Sequence, residues 1–201
     1  LYDSKQSERT VIGFTLLRSY ERLLLYKRGN NIMGALEVSL RQEVTRNDAL
    51  TIMTWMEDSE VTRYLNELSN ISQEIYQTVN RVNMFILTHL FNRNGSFFVV
   101  CAEDNEPIGF IKLVRKVKDA EIVVVIGDKE KWGMGFGTEA IYQGLNQAFF
   151  EWRIPRVIAK IDPDNTRSIK AFEKTGFQFE KELAHTNLYS ITLDQYIHLL
   201  K

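Results

Sequence analysis

Chemistry is most legible in the stretch Lys131-Trp132-Gly133-Met134-Gly135-Phe136-Gly137-Thr138-Glu139-Ala140. Three glycines at alternate positions let the backbone turn tightly and present its amide N–H groups. An apolar, β-like run, Glu121-Ile-Val-Val-Val-Ile126, precedes it, and a helix-like run from Ile141 to Trp152 follows. Where a helix starts at such a turn, free amides and the helix dipole converge on an anion, and a pyrophosphate is the natural guest. Glycine-rich turns before helices also serve plain packing, so the loop alone leaves both readings open.

Other residue types narrow the field. Cys101 is the single cysteine and lies inside the apolar run Phe97-Phe98-Val99-Val100-Cys101-Ala102, where a small core residue is the better reading than a nucleophile. One cysteine excludes an intrachain disulfide and fits a reducing, cytoplasmic setting. No His/Cys spacing suggests a metal site. With 25 Lys and Arg against 26 Asp and Glu, the net charge is −1, so no global field calls for nucleic acid or an anionic membrane. No apolar run approaches the roughly 18–20 residues that span a bilayer. The first residue is Leu1 rather than Met, so an upstream segment is expected.

The elements that must position the loop follow from periodicity. Glu8 to Tyr26 carries an apolar stripe from Val11 to Leu24 and ends in Lys27-Arg28-Gly29-Asn30, which predicts an N-terminal amphipathic helix. It would pack on the main domain or on a neighbouring subunit, and a homodimer is compatible with it; a membrane-surface or partner-binding helix is the alternative. Asn30 to Gly34 is a linker, dividing a helical extension, 1–34, from a main domain, 35–201. Leu36 to Arg41 alternates as a half-buried strand. Thr45 to Asp48 offers an N-cap before a helix over Ala49 to Met56. Asp58 to Leu65 predicts a short helix and Ser72 to Phe91 a longer one. Two strands over Phe97–Ala102 and Ile108–Val114 form a hairpin, and Asp119 to Ile126 is the strand that feeds the glycine loop. Beyond the loop helix come a strand over Arg156–Ile161, a helix over Asn165–Thr175, a strand over Phe177–Leu183 and a last strand over Tyr189–Leu200. That order predicts an α/β domain with a mixed sheet.

Two segments now stand at an informative separation: Ile126 to Ala140, and Asp162-Pro-Asp-Asn-Thr-Arg-Ser-Ile-Lys-Ala-Phe-Glu-Lys-Thr-Gly-Phe177. Together they resemble the GNAT N-acetyltransferases, and within them the branch of the ribosomal-protein-alanine N-acetyltransferases. Tyr64-Leu65 after Asp58-Ser-Glu-Val-Thr-Arg63, and Glu106-Pro-Ile-Gly-Phe110, resemble the same branch. The likeness covers about residues 35 to 184. It implies a mixed, mostly antiparallel central sheet flanked by helices, and acetyl-CoA as co-substrate without a metal.

The resemblance also assigns positions. The family's Arg/Gln-x-x-Gly-x-Gly/Ala loop falls on Trp132, Gly133, Met134, Gly135, Phe136 and Gly137, with Thr138 next; its amides would hold the pyrophosphate of coenzyme A. Trp132 replaces the usual Arg or Gln and brings no charge. Val125, Ile126 and Gly127 match the strand whose backbone pairs with the pantetheine arm, as an added strand would. Asn165 matches an Asn near the pantetheine and is equally an N-cap. Phe172 falls where many relatives carry a Tyr that protonates the departing thiolate; Phe has no proton to give. Arg167, Lys170 and Lys174 form a basic stripe, for which a solvated face is the better reading than the coenzyme's phosphates. Glu121 is the candidate proton acceptor, against the ordinary reading of a charge at a strand's edge.

The implied reaction moves an acetyl group to a primary amine, for which the branch favours a protein N-terminal amine. A small amine such as a polyamine or aminoglycoside is the alternative, and Glu57, Asp58, Glu60 and Glu67 could line its cleft. A non-catalytic acyl-CoA-binding domain is the third reading, supported by Phe172 and opposed by the intact glycine loop. A nucleotide-binding βαβ fold fits less well, because its loop would open the first such unit rather than follow several strands.

Overall fold

A computed structural model describes residues 36–65, 84–92 and 95–200, with positions 76, 77, 79 and 81 between them. The helix expected over Glu8–Tyr26 lies outside the described residues, as does Glu67.

Seven strands form one sheet in the order β1-β2-β3-β4-β5-β7-β6. The strands are β1 (Ser39–Arg41), β2 (Ser96–Cys101), β3 (Pro107–Arg115), β4 (Ala120–Ile126), β5 (Arg156–Ile161), β6 (Gln178–Glu182) and β7 (Asn187–Thr192). Every neighbouring pair is antiparallel except β4 and β5, which run parallel and are joined only at Ala120↔Val157 and Glu121↔Ile158. A parallel pair needs a crossover. Helix α4 (Phe136–Asn146), extended by a π-helical turn over Gln147–Glu151, supplies it.

Alternation along the strands divides the core into two layers. On one face Ile111, Leu113 and Ile122 pack with Ile141, Leu145 and Phe149 from α4 and its extension, and with Phe172 from α5 (Thr166–Lys174). On the other, Phe97, Val99, Cys101, Phe110 and Val125 pack with Ile52, Trp55 and Met56 from α1 (Arg46–Glu57). Cys101 is fully buried in this layer, and burial pushes its thiol above the usual range. It is a core residue.

Helix α1 begins with a capping box. Thr45 accepts from the Asp48 N–H, and Asp48 accepts from the Thr45 N–H at 2.7 Å. Arg41, at the end of β1, donates to both Asp48 oxygens at 2.9 Å. Burial opposes the Asp48 charge, but the bonds from Arg41 and Thr45 outweigh it and hold the carboxyl below its ordinary range. Strand, turn and helix are thereby tied at one point.

Four elements depart from the sequence pattern. β1 is only the last part of Leu36–Arg41. The loop helix starts at Phe136 rather than Ile141, because the glycines are its N-terminus and not a separate loop. Over Ser72–Phe91, positions 76, 77, 79 and 81 are helical, but 84–87 are not, and a new short helix, α3 (Thr88–Phe91), follows. The cause is backbone pairing: Arg46 N–H bonds to the Phe85 carbonyl at 2.9 Å and Leu87 N–H to that of Val44 at 2.7 Å. The last run is not a strand through Leu200. β7 stops at Thr192, which forms a second capping box with Gln195 and starts α6 (Leu193–Leu199). Tyr196 of α6 is buried and its hydroxyl meets Asn146 Oδ1 at 3.0 Å, which fastens α6 beside α4. The short helix expected after Asp58 is present as α2 (Ser59–Thr62).

Candidate active site

The parallel β4–β5 pair is the weak seam of the sheet, and the candidate residues gather around it. Only the first residues of each strand pair, so the facing edges diverge beyond Glu121 and Ile158. On its other side β4 is held along its whole length by β3, from Ala120↔Arg115 to Ile126↔Gly109. The Gly127 N–H donates to the Ile108 carbonyl at 2.9 Å. By the alternation of an antiparallel ladder, the amide groups of Val125 and Gly127 therefore face β3, and those of Val124 and Ile126 face the gap toward β5. Of the three positions Val125, Ile126 and Gly127, Ile126 alone turns its backbone to the gap. Gly127 is required for a different reason, since any Cβ there would overlap the ring of Trp55 on α1.

The glycine loop follows at the end of that seam. A short turn over Lys129–Lys131 leads into it, capped by the Asp128 carboxylate through the Glu130 N–H. Gly133 and Gly135 have φ of 77° and 97°, a conformation natural only to glycine. Gly135 is the N-cap of α4, and no side chain caps this helix. The Glu139 N–H is bonded to the Gly135 carbonyl at 3.1 Å. The first-turn amides of Phe136, Gly137 and Thr138 are thus offered outward with the positive end of the helix dipole. An added Cβ at Gly133 would meet nothing within 4 Å, so the surface before the loop is open. The Met134 side chain is exposed and that of Phe136 buried, which leaves the backbone as the loop's working part. Glu139 accepts from Gln143 one turn on, as an ordinary helix residue does.

Two contacts here were not foreseen from sequence. The Trp132 indole N–H donates to the Ile126 carbonyl, the one directed into the gap, at 2.7 Å. Over the same indole lies the guanidinium of Arg167, 3.8 Å from the ring centroid. A sequence signal existed only in that Arg167 and Trp132 belong to the two matched motifs. The motif spacing says nothing of their stacking.

Asn165 is the N-cap of α5, its Oδ1 accepting from the Ser168 N–H at 3.2 Å, so its capping role is realised. Phe172 is buried in the core and meets Phe177 edge-on at 4.9 Å. Glu121 stands where β4 and β5 part. Its side chain is 12% exposed and bridges Lys116 Nζ at 3.1 Å and Lys160 Nζ at 3.3 Å. Farther along the seam Lys129 joins Asp58 at 2.8 Å and Glu60 at 2.7 Å. The Lys129 ammonium is raised above its usual range by Asp58 and Glu60, and Asp58 is lowered by Lys129 and by the Glu60 N–H. Among the described residues no group of three or more His, Cys, Asp and Glu side chains could hold a metal, and no helix is long and apolar enough to cross a membrane.

Known proteins share this arrangement. Residues 38–178 match the family model of the acetyltransferase (GNAT) domain. The chain is similar to the uncharacterized N-acetyltransferase p20 of Bacillus licheniformis, at 31% identity over 140 residues that cover 66% of this chain and 75% of that protein. It is also similar to the spermidine N(1)-acetyltransferase of Escherichia coli (strain K12), at 25% identity over 138 residues, 64% of this chain and 73% of that one. The fold is that of the spermidine N-acetyltransferase from Vibrio cholerae solved in complex with CoA and spermine, with a TM-score of 0.65 at 20% identity, covering 80% and 98% of the two chains. A sheet opened between its parallel strands, an uncapped glycine loop at the opening and a family match over most of the chain lead to one assignment: this is an N-acetyltransferase of the GNAT family.

Proposed function

We propose that the chain transfers the acetyl group of acetyl-CoA to the N-terminal amine of a peptide or protein. The donor supplies an activated acetyl group as a thioester. The chain's residues fit it: the first-turn amides of α4 lie open to a pyrophosphate, and β5 leaves the edge of β4 unpaired beyond Glu121, so that its N–H groups can meet a pantetheine arm. A backbone N–H on that edge, from Val124 or Ile126, supplies the oxyanion donor.

The acceptor amine attacks only when neutral, whereas an N-terminal α-amine with a pKa of about 7.7–8.0 is mostly protonated at neutral pH. We assign Glu121 to take its proton, directly or through one water, because it is the carboxylate at the point where the strands part. Phe172 cannot act as an acid. A thiol with a pKa of about 8.5 leaves acceptably without one.

The observation that carries the choice of acceptor is the state of the carboxylates. A polycation needs unpaired acidic groups in its cleft. Here Asp58 and Glu60 are both held by Lys129, so the chain's own ammonium group already occupies them. A single terminal amine makes no such demand. Similarity to a spermidine acetyltransferase favours a second reading, a polyamine acceptor. A screen with acetyl-CoA separates the two, scoring thiol release and the mass of the product for peptides with free N-termini, spermidine, spermine and an aminoglycoside. Peptides should give the highest kcat/KM. Faster turnover of a polyamine or aminoglycoside than of every peptide would overturn the peptide assignment.

A further inference from the structure

The cations around the glycine loop are not equivalent. Lys129 is bound by Asp58 and Glu60, and Lys131 lies 3.9 Å from Glu106. Arg167 is different. It is exposed on the first turn of α5 and, among the described residues, has no carboxylate within ion-pair distance. Yet it is not loose, since its guanidinium rests 3.8 Å from the centroid of Trp132. That ring is itself fixed, because its N–H is bonded to the Ile126 carbonyl at 2.7 Å. A guanidinium stacked on an aromatic face keeps its donors in plane and free to bind an anion, with less freedom to lose when it does so.

From Trp132 to Gly137 the loop carries no charged side chain and offers only its amides. We infer that Arg167 binds a phosphate of the acetyl donor, held in place by Trp132, and supplies from α5 a positive charge that no carboxylate of the described residues pairs. Trp132 is its positioning residue. The Ile126 carbonyl, the indole and the guanidinium are in contact in that order, and the indole directly precedes the amide loop. The inference rests on acetyl-CoA being the donor. It adds a specificity to that reading, a dependence on the donor's phosphates that is separate from recognition of its thioester arm.

The test measures CoA affinity by calorimetry at low and high salt, alongside turnover of S-acetylpantetheine, which has the thioester arm and no phosphate. Arg167→Ala should weaken CoA about 10- to 100-fold at low salt, the range for one charge-assisted hydrogen-bonded contact. The loss should shrink at high salt, where phosphate attraction is screened. Turnover of S-acetylpantetheine should not change. Arg167→Lys should recover part of the affinity, because it keeps the charge without the planar stack. Trp132→Phe retains a ring but loses the bond to the Ile126 carbonyl, so its affinity should fall between those of the parent and Arg167→Ala, whereas Trp132→Leu should approach Arg167→Ala. The double variant Trp132→Leu with Arg167→Ala should be no weaker than Arg167→Ala alone, since the two act as one unit. If the parent binds CoA and Arg167→Ala binds it equally well at low salt, the inference is wrong. An equal loss for S-acetylpantetheine also overturns it, since the stack would then be a structural brace. A parent protein that binds no CoA removes the acetyl-CoA reading as well.

Discussion

Two helices of this chain begin in opposite ways. At the start of α1 the polar groups are satisfied from within: Thr45 and Asp48 exchange bonds, and Arg41 closes on the Asp48 carboxylate at 2.9 Å. At the start of α4 there is only Gly135, with φ of 97° and no capping side chain. Every helix leaves its first N–H groups without intrahelical partners. A chain that closes one such end with three side chains and leaves another bare uses the first to fix its architecture and leaves the amides of the second open. Asp48 and Glu121 carry the same lesson into the acids. Both are ion-paired, but Asp48 joins the strand and helix of one corner, whereas Glu121 lies where β4 and β5 part.

The sharpest way to break the contrast is to put a side chain on the bare end. Gly135→Val forces a β-branched residue into a left-handed backbone and brings its Cβ to 3.0 Å from Leu36 Cδ1. Losing two charge-assisted hydrogen bonds to phosphate, at about 1.5–3 kcal/mol each, should weaken CoA roughly 100- to 10,000-fold by calorimetry. Unchanged affinity would end the amide-cradle account.

Glu121→Gln comes next. It should lower kcat roughly ten- to a thousandfold and leave the KM for acetyl-CoA nearly constant, because it keeps size and removes basicity. The deficit should shrink as pH rises and more of the amine arrives neutral. A pH–rate profile that matches the parent in height and shape would remove Glu121 from the mechanism.

Asp48→Asn should do the reverse, costing about 2–3 kcal/mol of stability in denaturant melts at neutral pH while CoA affinity stays at the parental value. The pH dependence has a fixed sign. Asp48 is lowered in the folded state, so its contribution is complete above the unfolded value of about 3.9 and is lost as pH falls through the folded value. The difference between parent and variant should therefore close in acid. A gap that widened there would contradict the assignment. Met134→Ala should have the smallest effect, within about twofold in CoA affinity, because the exposed side chain lends only its amide. Damage equal to that of Gly135→Val would place the binding in side chains instead.

What was legible in the sequence was local. The Thr45–Asp48 box, the Gly133–Gly137 turn and the Asn165 cap each lie within a few residues, and short-range chemistry decides them. The paired strands β2 and β3 follow from two apolar runs on either side of a polar loop. What escaped is set by contacts between distant segments. Residues 84–87 leave the helical pattern because the stretch before α1 binds their backbone. The lysines on Glu121 come from the end of β3 and from β5, and Arg167 reaches Trp132 from another helix. The exception is α6, whose start at Thr192-Leu-Asp-Gln195 was readable as a capping box but was obscured by apolar residues that suit a strand equally well.

Trp55 and Gly127 form a lock whose two halves can change only together. The indole of α1 fills the space in which any larger residue at the end of β4 would stand. In a library randomised at position 127 alone, glycine should be the only functional survivor. With position 55 opened as well, survivors should pair a smaller group at 55 with a larger one at 127. The route by which position 127 could come to hold a larger side chain therefore runs through that pair, since a variant that trims the ring first gains space before it has to fill it.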